Sequence, residues 1–190
     1  MDKIKIEFLS KCVLGRKTEF NNEENLKDAC ISHAYKDMMS AGRFRGIDNK
    51  EKITGALKEV LAKKNYSFSR DMIEKVSRAF SEDENAPDYF GLAQKLVNMT
   101  FKYFYVFDVI KKADYTNCDC PIDSNVLDSI GKSNMSWSKL SKEEYENIQN
   151  EISKRLNEDN CKEVYQIGNM IYDFIVWGRC GEYKTGVNVI

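Results

Sequence analysis

Apolar residues recur at helical spacing along most of this chain. Between 22 and 41, Leu26, Ala29, Cys30, Ala34 and Met38 fall on one side, and Gly42 marks the end of the run. Asp48, three residues ahead of Glu51, makes a capping box for a helix whose core face is Ile53, Leu57, Val60 and Leu61. Met72, Ile73, Val76 and Phe80 predict a third helix starting near Ser69. From Ala93 to about Lys111 the chain is apolar on most sides, which predicts a helix central to the fold. Pro121-Ile122-Asp123 leads into a helix through Val126, Leu127 and Ile130, and Trp137 sits in the serine-rich connection that follows. A second capping box, Ser141 with Glu144, opens a helix carrying Tyr145, Ile148, Ile152 and Leu156. Asn160 is the expected start of the last helix, through Val164, Ile167, Ile171, Phe174 and Trp177. Only residues 3–9 alternate with period two (Ile4, Ile6, Phe8), predicting a short strand that the tail from Gly178 to Ile190 could pair.

The expected fold is therefore all-α, an orthogonal assembly of about seven helices with a short terminal strand pair. With 190 residues and neither a repeat nor a linker, the chain is expected to be one domain, 1–190. Two prolines, Pro87 and Pro121, leave the helical runs unbroken. No stretch reaches the roughly eighteen apolar residues of a membrane span. The N-terminus lacks the apolar core of a signal peptide, so the expected location is cytoplasmic. Six cysteines (12, 30, 118, 120, 161, 180) without C-x-x-C spacing are expected to be reduced thiols. One histidine, His33, excludes histidine-centred triads and multi-histidine metal centres, and no metal or cofactor is expected.

The central apolar helix has a small polar face: Gln94, Lys95, Asn98 and Lys102, three and four residues apart. Before it, Phe90-Gly91-Leu92-Ala93-Gln94-Lys95 reads as a glycine-bearing turn that opens onto the helix, with a lysine near its start. Asp123 follows Lys95 by 28 residues and is placed to cap the next helix. A lysine and an acid on neighbouring helix starts are one way to do chemistry on a flipped-out base.

The first segment resembles the hairpin of the helix-hairpin-helix DNA glycosylase superfamily, whose pattern runs apolar, Gly, apolar, Gly, any residue, Lys. Ala93 stands where the second glycine belongs, and alanine takes a positive φ poorly. Ile122-Asp123-Ser124-Asn125-Val126 is similar to the stretch that bears the family's aspartate. The spacing of 28 and the aromatic segment Lys95–Tyr105 resemble the archaeal 8-oxoguanine glycosylase branch. The likeness covers about residues 87–130. It implies a helix-hairpin-helix element in which Gly91, Leu92, Ala93 and Gln94 contact DNA; the loop arginines Arg43 and Arg45 are the further candidate DNA contacts. It implies Lys95 as the nucleophile on the sugar and Asp123 as the group that stabilises positive charge there. Asn98, Tyr103 and Trp137 are the candidate base-pocket residues, with Phe44 a further candidate aromatic wall.

Each of these residues also has a plain structural role open to it. Lys95 could snorkel to the surface, Asp123 could be only a cap, and Gln94 and Asn98 could satisfy buried backbone. Arg43 and Arg45 fit a solvated loop, Trp137 and Trp177 fit packing positions, and Cys118-x-Cys120 fits coincidence. The net charge of −1, from 29 basic and 30 acidic side chains, is low for a phosphate-binding protein. The alternative function is thus a non-enzymatic helical protein that binds DNA or a protein partner. A small-molecule site at Gln94, Asn98 and Asp123 is a third reading.

Overall fold

The computed structural model describes residues 11–15, 22–40, 49–81, 88–110, 114–158 and 166–178. The expected strand at 3–9, its partner tail from residue 179 on, the Arg43–Arg45 loop with Phe44, Asp48, Pro87 and Asn160 lie outside the described residues. Every regular element among the described residues is helical, as the periodicity predicts. None of these helices is long and apolar enough to cross a membrane.

Helix α1, Glu23–Ser40, starts where the side chain of Asn22 accepts from the Asn25 N–H. Helix α2, Lys50–Lys63, is capped by Asn49, whose side chain accepts from the Lys52 N–H. Helix α2 ends as Asn65 and Tyr66 turn to positive φ. Helix α3, Asp71–Ser77, is short and buries Met72, Ile73 and Val76 as expected.

Helix α4, Phe90–Val106, is the centre of the fold and packs mainly against α1 and α3. All residues from Phe90 to Phe101 are buried. It begins three residues before the apolar run predicted, because the Asp88 carboxylate accepts from the Phe90 N–H and Tyr89 O from the Ala93 N–H. It stops short of Lys111 because Asp108 adopts a φ of +50° and Val109 N–H turns back to Phe104 O. Phe101, Phe104 and Phe107 are core residues, whereas Tyr105, expected in the core, is 38% exposed.

Helix α5, Ser124–Ser129, and a 3₁₀ turn, Trp137–Lys139, lead to α6, Lys142–Glu158. The Ser141–Glu144 capping box forms as predicted, each side chain bonded to the other residue's N–H at 3.2 and 2.9 Å. The last helix, α7, spans Met170–Gly178 and is preceded by Gln166 and Gly168 at positive φ.

Four cysteines are among the described residues, all free thiols: Cys12 is exposed, and Cys30, Cys118 and Cys120 are buried. Burial pushes the Cys30 thiol up to about 12 and Cys120 well above its ordinary value. In native protein Cys12 is expected to react promptly with a thiol-specific disulfide reagent, and these three only on unfolding. Mass spectrometry of the labelled peptides at neutral pH checks this. Fast native labelling of Cys30 or Cys120 would mean that α1 or the segment around Cys120 opens locally.

Candidate active site

The site is built around a buried strap. Residues 118–123 are all buried, although they belong to no helix or sheet, and the bonding of every second residue, Cys118, Cys120 and Ile122, is the pattern of an extended chain. Buried backbone must find partners, and helices supply them. The Asn169 N–H bonds Cys118 O at 2.8 Å; Gly168, at φ +61°, permits this approach, since a Cβ there would lie 2.4 Å from the same oxygen. The Gln149 amide spans both backbone groups of Cys120, at 3.0 and 2.7 Å. The Gln94 amide does the same for Ile122, at 3.1 and 2.8 Å.

The strap delivers Asp123 to the start of α5. There its Oδ1 accepts from the Val126 N–H at 3.0 Å, the cap the sequence predicts. Its Oδ2 accepts from Lys95 Nζ at 2.8 Å. Both side chains are more than 90% buried. Lys95 therefore does not snorkel away, and Asp123 is more than a cap.

Lys95 and Asp123 line one pocket of about 350 Å³, between α1, α4, α5, the 3₁₀ turn and α7. Tyr103 and Trp137, two of the candidate base-pocket residues, form part of its wall. Lys102, marked in the sequence by the polar face, also lines it, together with residues that carried no such signal, among them Asp37 from α1, Met99 from α4 and Trp177 from α7. Trp177 was expected in the core but is 51% exposed. Tyr103 donates its hydroxyl proton to Asp37, and burial pushes the phenol far up from its ordinary value. Lys102 pairs with Asp173, which is fully buried. Burial outweighs the pull of Lys102 and raises the Asp173 carboxyl; its Oδ1 has no hydrogen-bond partner among the described residues. A lone acid inside the apolar run Met170–Gly178 was the sequence signal for this pair.

The polar face of α4 divides into two rows. Lys95 and Lys102 face the pocket. Gln94 and Asn98 face the strap and α6, with Asn98 donating to the Tyr145 hydroxyl at 2.9 Å and lying near Gln94 at 3.3 Å. Asn98 is thus no part of the pocket lining, a correction to its expected place at the base. The pattern could not separate the rows, because Asn98 stands three residues from Lys95 and four from both Gln94 and Lys102.

Gly91 also departs from expectation. It lies in the first turn of α4, not in a loop ahead of it, and a Cβ there would sit 2.5 Å from Trp137 O and 2.6 Å from Ser138 C. Its missing side chain admits the backbone of the 3₁₀ turn. Leu92, Ala93 and Gln94 are likewise buried, at 2%, 0% and 0% exposure, so their side chains face the interior and not a phosphate backbone. Gly91→Ala is expected to cost about 1–3 kcal/mol through overpacking and to shift Trp137 in the pocket wall. Denaturant unfolding with tryptophan fluorescence measures both; a neutral substitution would show that the 3₁₀ turn yields freely.

No family model, curated protein or solved structure matches the chain.

Proposed function

We propose that this protein is a DNA base-excision glycosylase and lyase that acts on a flipped nucleotide through Lys95 and Asp123. The observation that carries the reading is the buried Lys95–Asp123 contact at 2.8 Å on the wall of a pocket with aromatic sides. A base taken out of the stack needs such walls. Trp137, Tyr103 and Trp177 line the pocket as aromatic walls, and Lys102 brings a cationic side chain to it.

The chemistry uses the contact directly. Lys95 attacks only as a free amine, and Oδ2 of Asp123 is the acceptor within hydrogen-bond reach of its extra proton. The nitrogen lone pair forms the bond to the sugar C1′ as the C1′–N bond to the base breaks. The electron pair leaves with the base, which takes the proton now on Asp123. The regenerated carboxylate then faces the positive charge left on the sugar nitrogen adduct. The adduct nitrogen gives a proton to that carboxylate, its lone pair forms the C1′=N bond as the C1′–O4′ electron pair goes to O4′, and O4′ takes the proton; loss of the C2′ proton from this Schiff base then breaks the C3′–O bond and expels the 3′ phosphate.

The test is covalent trapping. Borohydride reduction of the Schiff base should join the protein to DNA bearing a damaged base or an abasic site, through Lys95. The second reading, a non-catalytic helical protein that binds DNA or a protein partner, draws on the net charge of −1 and on exposed Trp177. It predicts no trapping and no need for Lys95.

A further inference from the structure

We infer that Gln94 is a positioning residue for the Lys95–Asp123 pair, an inference that rests on the function proposed above. Consecutive residues of α4 hold consecutive residues of the strap. Gln94 bonds both backbone groups of Ile122, and Lys95 bonds the Asp123 carboxylate. The two reacting groups are thereby fixed to one another through a register of two rungs, 94 to 122 and 95 to 123.

Asp123 is constrained on both sides. Ahead of it, Ile122 cannot slide without breaking two hydrogen bonds to a side chain that is itself fully buried. Behind it, its own Oδ1 holds the Val126 N–H. The Gln94 amide is held in turn: the Asn98 amide nitrogen, anchored on Tyr145, faces its Oε1. Tyr145 donates to Asp119, which carries the paired hydrogen bonds of Arg70 at 2.6 and 3.0 Å. The amide cannot turn over, because exchange of its oxygen and nitrogen would set like groups against Ile122 N–H and C=O. Misplacement of reacting atoms by about 1 Å costs on the order of 100-fold in rate, so a clamp one residue from each reacting group acts on rate as well as on stability.

Gln149 supplies the control within the same molecule. It makes the same two bonds to the strap at Cys120, is equally buried, and its side chain hydrogen-bonds, among the described residues, only to Cys120 and Asn169. A purely structural account predicts that Gln94→Met and Gln149→Met behave alike. The positioning account predicts that both lower Tm, but that only Gln94→Met slows chemistry.

The experiment compares full-length wild type, Gln94→Met and Gln149→Met at a temperature where circular dichroism shows all three folded. Single-turnover borohydride trapping at saturating abasic-site DNA should slow by about tenfold or more for Gln94→Met and stay within about twofold for Gln149→Met. DNA affinity should be unchanged in both. Equal trapping rates in the two variants overturn the inference. Should Gln94→Met fail to fold, Gln94→Glu carries the test. Its protonated carboxyl keeps both bonds to Ile122, whereas the ionised form sets an acceptor against Ile122 O. Its trapping rate relative to wild type at the same pH must then rise as pH falls, and a constant ratio overturns the inference.

Amide hydrogen exchange separates this inference from the reading beneath it. Exchange at Val126 reports the Asp123 carboxylate without any substrate. Relative to the slowest core amides, it should speed by about tenfold in Gln94→Met and not in Gln149→Met. If wild-type protein traps no DNA, the glycosylase reading fails. The exchange result then decides by itself whether Gln94 positions Asp123, and equal exchange in the two variants refutes it.

Discussion

Lys95→Ala is expected to abolish borohydride trapping on lesion-bearing or abasic DNA, whereas wild type should be captured in a single covalent complex. This is the largest effect expected on activity, because the bond reduced by borohydride is the bond to Nζ of that lysine. Exposed amines can also be caught by an abasic aldehyde, so the lysine variant is the necessary control. Asp123→Asn divides the two roles of the aspartate. Asparagine caps a helix nearly as well as aspartate, so the Val126 bond and the fold survive. The carboxylate that accepts the Lys95 proton is gone, so base release slows by about 100-fold or more while DNA binding persists. A variant as fast as wild type would leave Asp123 as a cap alone. Trapping that survives Lys95→Ala, or no trapping of wild type across a panel of lesions, would transfer the weight to the interaction-protein reading.

Lys102→Met produces the largest expected loss of stability. Its partner Asp173 has no exposed side-chain surface, and removing one member of a buried pair strands the other. Such losses are about 3–5 kcal/mol. The cost depends on pH with a definite sign. The Asp173 carboxyl is raised in the folded protein by burial even with Lys102 present, and it rises further without it. In the unfolded chain it ionises near its ordinary value of about 3.9. Above that pH the unfolded state holds fewer protons than the native state, so stability falls as pH rises. The variant should therefore unfold in urea much like wild type at about pH 4, and far more readily at about pH 7. A deficit that does not change with pH would mean that Asp173 titrates alike with and without Lys102.

The helix interiors were legible because burial imposes a period. Met72, Ile73 and Val76 sit where the spacing puts them, and Ser141 with Glu144 forms the predicted capping box. The ends of α4 were not legible, since they depend on one side-chain bond from Asp88 and one positive φ at Asp108. Within the site, Lys95 and Asp123 were found as two helix starts, and their contact follows. Asn98 was misplaced because a two-row polar face and a one-row face have the same spacing. The strap could not be foreseen at all. Its rungs come from Gln94, Gln149 and Asn169, side chains far apart in sequence, and no local pattern marks an amide that will pair with distant backbone.

The strap also decides where this chain can change length. Cys118, Cys120 and Ile122 present backbone groups on one edge because alternate residues of an extended chain face the same way. Inserting one residue between 118 and 123 would turn that edge over and carry Asp123 away from Lys95. Inserting two would restore the facing but advance the aspartate by about 6–7 Å. The turn around Thr116 is exposed and its hydrogen bonds are local, to Asp114 and Tyr115. A search for distant sequences that share this site should therefore hold the five-residue step from Cys118 to Asp123 fixed and let the 28-residue separation from Lys95 vary.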